Sequence, residues 1–193
     1  KCDWSSDVCS FRSDDYGNTW DATGSTAWSI DSGAGGSWSA NVYTSAKAGT
    51  WNVMGSYSGK SGTAQLTVNP AAASKLVYTA GADQSITVST VSSVITVQLQ
   101  DPSGNPISAG AGGVVVSLTT NSSGRFYSDS AGNNRIYSVT IASGANSANF
   151  YYWDSSAGHP VLTASSGSLT PATTQFTINN YYLGFQTGGC QTL

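Results

Sequence analysis

The chain has 193 residues, enough for one large domain or two small ones, either able to bury a core. Charged residues make up 9% of it, against about 25% in ordinary soluble domains. The acids are all Asp, and the seven Lys and Arg are scattered singly, so no basic patch exists to neutralise phosphates and nucleic acid is not an expected partner. No uninterrupted apolar run reaches the roughly 18 residues of a membrane-spanning helix, so no membrane insertion is expected.

The opening "KCDWSSDVCSFRSD" places Cys2 and Cys9 seven residues apart. In an extracellular fragment such a pair suggests a disulfide; a zinc site fails, because two Cys and one remote His cannot complete a tetrahedron. A third reading fits better. Residues 2–13 resemble the translation of a short-read sequencing adapter, so residues 1–13 are expected to be an artefact, with Cys2 and Cys9 irrelevant to function. The start also lacks a Met and an apolar signal core, as expected of a piece of a longer chain.

Residues 14–69 then read as an incomplete domain. Asp14-x-x-Gly17-Asn18 matches Asp101-x-x-Gly104-Asn105, and "AGTWNVMGSYSGKSGTAQLTVN" parallels "AGHPVLTASSGSLTPATTQFTIN" further on. Repeats this long indicate tandem domains. The first copy has no equivalent of the two strands that precede the turn in the second, so it is expected to be N-terminally truncated and poorly packed. "NPAAAS" supplies the linker, residues 70–74, between the copies.

The second copy, 75–179, follows an all-β grammar. "SKLVYTA" and "QSITVST" are short strands, and from Val94 the residues alternate strictly, with Ile95, Val97 and Leu99 on one face. The turn "DPSGNP" stops that strand: Pro102 fixes φ, Gly104 is suited to positive φ, and Asp101 is expected to accept backbone N–H groups. "GVVVSLTT" is expected to bury Val114, Val116 and Leu118, and "IYSVTIAS" Tyr137, Val139 and Ile141. "SANFYYWDS" sets Ala148, Phe150 and Tyr152 on one face; "HPVLTAS" and "TTQFTIN", with Phe176 and Ile178, complete about eight strands. Short strands with turns every 8–12 residues spell a β-sandwich, and the fold class expected is all-β, tandem Ig-like Greek-key sandwiches. Residues 180–193 are a tail or the start of a further domain, in which Cys190 is an orphan thiol.

The "DPSGNPISAG" turn, the Gly-aromatic step "SGRFYSDSAG" and the "AGHPVLTASSGSL" strand pair resemble bacterial Ig-like (Big) domains of the invasin/intimin type. The resemblance covers 75–179 well and 14–69 in part, with Thr19 in place of the Pro that follows Gly-Asn at Pro106. It implies a non-catalytic spacer or adhesion module of an extracellular surface protein. The partners implied are neighbouring Ig-like domains and a host or environmental glycan or protein.

Chemistry-bearing residues are few. The single His159 beside Pro160 reads as a solvated turn residue, and a triad or metalloenzyme centre has almost no groups to draw on, so no catalysis and no cofactor are expected. Asp101 and Asp129 are weak calcium candidates, since oxygen-rich loops rigidify joints between extracellular domains. A Lys75–Asn179 isopeptide would need a buried acid beside it. The runner-up function is carbohydrate binding through exposed rings, for which Trp38 and Trp153 are the candidates, whereas Trp28 and Trp51 share faces with Ile30 and Val53 and read as core.

Overall fold

Strict alternation in one strand organises the larger unit. In a computed structural model, which describes residues 11–13 and 19–181, Ile95, Val97 and Leu99 of the strand Ile95–Gln100 are all buried while Thr96, Gln98 and Gln100 are half-exposed. Cys2, Cys9, Asp14, Gly17, Asn18 and Cys190 lie outside the described residues. Two compact units divide the rest: one holds residues up to Ala71 with Ser103–Asn105, the other 72–102 and those from 106 onward.

In the first unit the strands are β1 (Phe11–Ser13), β2 (Thr19–Asp21), β3 (Ala27–Ile30), β4 (Ser37–Ser39), β5 (Val42–Thr44), β6 (Gly49–Tyr57) and β7 (Lys60–Val68). They form a three-stranded sheet β3-β6-β7 and two two-stranded ladders, β1-β2 and β4-β5. Trp28 lies opposite Gly55 in the β3–β6 register, and a Cβ on Gly55 would stand 3.0 Å from the indole, so the ring lies over backbone that only glycine leaves open. The apolar residues buried among those described are Ala22, Ala34 and Val53 alone, and β7 is exposed over its first four residues.

In the second unit the strands are β8 (Lys75–Ala80), β9 (Ser85–Thr87), β10 (Ile95–Gln100), β11 (Val114–Thr120), β12 (Arg125–Tyr127), β13 (Arg135–Ile136), β14 (Ser138–Ile141), β15 (Ser147–Trp153), β16 (Val161–Ser165), β17 (Ala172–Gln175) and β18 (Thr177–Asn179). One antiparallel sheet has the order β13-β12-β15-β10-β8, the other β14-β11-β16-β17, and β18 pairs in parallel with β9. That strand order is the ABED/CFG arrangement of an Ig-like sandwich, with β13 added as an edge strand beside the D position and β14 beside the C position. Side chains from the two inner faces make one core. Within it, Phe126 meets Phe150 edge-on at 5.8 Å and Tyr152 at 5.3 Å, and Tyr152 meets Phe176 edge-on at 5.6 Å. Such pairs add about 0.5–1.5 kcal/mol each beyond their buried area.

Three strand expectations need correction. "IYSVTIAS" is two strands: β13 pairs with β12 in one sheet and β14 with β11 in the other, so the chain changes sheets at Tyr137. Tyr137 is therefore 68% exposed instead of buried, its ring under the Arg135 guanidinium at 4.8 Å. "TTQFTIN" likewise breaks at buried Phe176, whose N–H goes to Pro160, before β18 turns to pair with β9. Val114 is half-buried at the edge of the core that Val116 and Leu118 fill.

The burial difference generates a test. Limited proteolysis of the full chain is expected to cut within 19–71 first and to leave a resistant fragment spanning about 72–180, because among the described residues seventeen buried apolar side chains hold the second unit and three the first. Equal resistance of both regions would refute this account.

Candidate functional site

The last strand of the second unit runs beside its second strand. β9 and β18 pair in parallel, Thr177 opposite Ser85, Ile178 opposite Ile86 and Asn179 opposite Thr87. The Thr177 N–H donates to the Gln84 carbonyl and the Val88 N–H to the Asn179 carbonyl, both at 2.9 Å. Side chains extend the seam: the Asn179 amide donates to Ser85 Oγ at 2.7 Å, and the Thr174 hydroxyl both accepts from the Asp83 N–H and donates to the Asp83 carboxylate at 2.8 Å. A second parallel contact stands beside it, with Leu76 N–H to Thr170 O and Thr170 N–H to Ser74 O, each 2.9 Å.

A buried polar knot ties β15 to its neighbours. Tyr152 and Asp154 are both fully buried. The Tyr152 and Ser122 hydroxyls each donate to Asp154 Oδ2, at 2.7 and 2.6 Å, and the Ser156 N–H donates to Oδ1 at 3.0 Å. The Tyr152 N–H reaches Ser92 Oγ at 2.9 Å, while the Ser92 N–H returns to the Tyr152 carbonyl at 2.8 Å. Gly124 lies so close that a Cβ there would stand 2.0 Å from the phenol oxygen. Burial pushes the Tyr152 hydroxyl up to about 12, against the opposing hydrogen bonds of Ser122 and Thr120. Burial works against the Asp154 charge too, but the Ser122 hydroxyl, the Ser156 N–H and the Tyr152 hydroxyl outweigh it and hold the carboxyl below its ordinary range. Tyr78 is the counter-example: its buried hydroxyl meets no partner among the described residues, and desolvation pushes its pKa up.

The sequence-named residues fall as follows. Asp101 is 1% exposed at the end of β10, and Gly104 takes φ of 87°, the positive value its turn requires; the turn closes with a Gln100–Pro106 bridge and an Ile107 N–H to Leu99 bond. Asp129 accepts N–H groups from Ala131 and Asn133 on Oδ1 and from Asn134 on Oδ2, at 3.0, 3.1 and 2.7 Å. The Asn133 and Asn134 bonds lead in holding its carboxyl below the usual range, and N–H dipoles aimed at both oxygens work against a cation there. Among the described residues no group of three His, Cys, Asp or Glu is placed to hold a metal. Trp38 is half-buried in the first unit, stacked on Trp28 at 6.3 Å and 16° and tilted on Tyr43 at 5.1 Å. Trp153 is half-buried in the second, with the Arg125 guanidinium 5.6 Å from its ring centroid. His159 is exposed, with Nδ1 3.4 Å from Thr177 Oγ1. Lys75 donates to the Pro102 carbonyl and Asn179 to Ser85, so those two side chains serve separate partners.

Comparisons with known proteins fit no named family. No protein-family model matches the chain, and no curated protein matches it. Among solved structures it is similar to domains 4 and 5 of the S-layer protein SbsC, at 17% identity and TM-score 0.39, covering 88% of this chain and 79% of that one. A beta-glycosidase from Bacteroides vulgatus is similar at 13% identity and TM-score 0.47, over 82% of this chain and 22% of its own. The CARDB domain of the Pyrococcus furiosus PF1109 protein, in complex with di-metal ions, is similar at 10% identity and TM-score 0.37, over 55% and 93%. The chain spans under a quarter of the glycosidase and of SbsC domains 1–6.

Two measurements test the knot. Asp154→Asn is expected to cost about 1–3 kcal/mol near pH 7, because it converts a charged acceptor into a group with fewer acceptor sites. Since the folded-state pKa is depressed, the stabilisation is present above the unfolded value of about 3.9 and is lost as pH falls through the folded pKa. The melting-temperature gap between the two proteins should therefore be full at pH 6 and narrow below about pH 4; a gap constant with pH contradicts the assignment. Tyr78→Phe is expected to leave stability unchanged or raise it, while Tyr152→Phe lowers it by about 1 kcal/mol or more. Equal effects from the two removals would show that hydroxyl satisfaction does not distinguish these sites.

Proposed function

We propose that this chain is a non-catalytic module of an extracellular, cell-surface protein, a tension-bearing Ig-like spacer of the bacterial Big kind whose partners are neighbouring domains of its own chain. The parallel β9–β18 seam carries the proposal. A spacer is pulled through its two ends, and here the last strand, β18, is hydrogen-bonded in parallel to β9, the strand that follows the first strand β8. Rupture therefore requires several bonds to fail together, whereas antiparallel end strands would peel singly. The Tyr152–Asp154 knot behind the seam gives β15 little freedom to follow it open. Low charge and a surface rich in Ser, Thr and Asn suit an extracellular setting, and the invasin/intimin-like turn "DPSGNP" supports the same reading.

Single-molecule pulling tests it. With residues 72–181 gripped within the full chain, Val88→Pro, which deletes the N–H donated to Asn179, is expected to lower the unfolding force markedly. Forced unfolding follows the unfolding barrier, and the seam is the barrier here. The same force in Val88→Pro and the parent would remove the mechanical basis of the proposal.

A further inference from the structure

The outer face of the β13-β12-β15 edge carries a strip that the spacer role does not use. By register, Trp153 faces Arg125 across β15–β12, Tyr151 faces Tyr127 in the next outward row, and Tyr127 faces Arg135 across β12–β13. Period two puts all five on the side opposite Phe126 and Tyr152; Arg125 and Arg135 are exposed there, Tyr151 and Trp153 are half-buried, and Tyr127, only 9% exposed, lies beneath them as support. Tyr137 extends the strip at the sheet change. The accessible part of the strip is two guanidiniums set among the rings of Trp153, Tyr151 and Tyr137 over three adjacent strands.

Its charges are uncommitted. The Arg125 guanidinium lies 5.6 Å from the Trp153 centroid and that of Arg135 lies 4.8 Å from Tyr137. Neither meets a carboxylate among the described residues. Asp129, on the loop that joins β12 to β13, has both oxygens engaged by backbone N–H groups. Arg125, Arg135 and Tyr137 also line a cavity of about 240 Å³ at the edge of the sheet that reaches inward to Leu118 and Phe126, and that Trp153 and Tyr151 do not line. This lies below the roughly 300–1,000 Å³ of pockets for drug-sized ligands, so it has room for one small unit of a longer ligand.

We propose that this strip binds an acidic polysaccharide through its uronate residues. Sugar rings present flat C–H faces that stack on aromatic side chains, and a carboxylate matches the planar fork of a guanidinium. Two arginines beside rings provide both parts, whereas a neutral glycan would leave the guanidiniums unanswered. The net charge of −3 rules against diffuse attraction of polyanions, so recognition has to be local. The proposal is independent of the mechanical reading above.

Calorimetric titration of the full chain with trigalacturonate, maltotriose and inorganic sulfate tests it. Trigalacturonate is expected to bind, to weaken as NaCl rises from low to high concentration, and to lose roughly tenfold in affinity with Arg135→Gln or Arg125→Gln. Arg135→Lys, which keeps the charge but loses the fork, should fall between. Thermal melts unchanged from the parent establish that these exposed substitutions leave the fold intact. Absence of trigalacturonate binding, equal binding of maltotriose, equal binding of sulfate, or undiminished affinity in both Gln variants would each overturn the proposal.

Discussion

A tyrosine hydroxyl at the centre of a sandwich has to be hydrogen-bonded, and the satisfaction of Tyr152 is the constraint on which the second unit depends. Its ring touches Phe126 and Phe176, from opposite sides of the core, so it fixes the spacing of the two sheets. Its hydroxyl ends on Asp154, and its backbone closes a reciprocal pair with Ser92. One residue therefore sets the sheet separation, the path of the Ser89–Ser92 loop and the position of the Asn121–Gly124 turn. The closeness of Gly124 follows: that turn passes over the phenol where no side chain fits. Such a network stabilises only when complete, because in a low-dielectric interior a half-made set costs more than an apolar one.

The same physics separates the β9–β18 seam from the β13-β12-β15 edge. At the β9–β18 seam the polar side chains spend their hydrogen bonds on one another, Asn179 on Ser85 and Thr174 on Asp83. On the β13-β12-β15 edge the opposite holds: arginines rest on rings without carboxylate partners among the described residues. The two roles proposed for this unit therefore fall on different strands.

Much of the fold was legible in the residues, for a reason tied to burial. The strands β10, β11, β15 and β16 alternate cleanly because each has one face on the core and one toward solvent, and period two records that asymmetry. β12 escaped notice since three residues, Arg-Phe-Tyr, are too short to show a period. Tyr137 departs from the period for a related reason. Continuing the period through Ile136 to Ile141 is correct only if the chain stays in one sheet, and a change of sheet leaves no mark in hydropathy.

The candidate site was less legible. Aromatic count drew attention to Trp153, but its neighbour Arg125 is 28 positions away in the chain and meets it only through β12–β15 pairing. Asp154 and Ser122 look like ordinary turn residues until β15 and the Asn121 turn bring them to one hydroxyl. The sequence by itself determined the all-β class, the alternating core and the Asp101–Pro106 turn, because these rest on local steric and hydrophobic preferences. Tertiary structure alone decided the parallel β9–β18 seam, the Tyr152 knot and the arginine–aromatic strip, because each joins residues whose contact depends on strand order and register, and those are settled by how whole sheets pack.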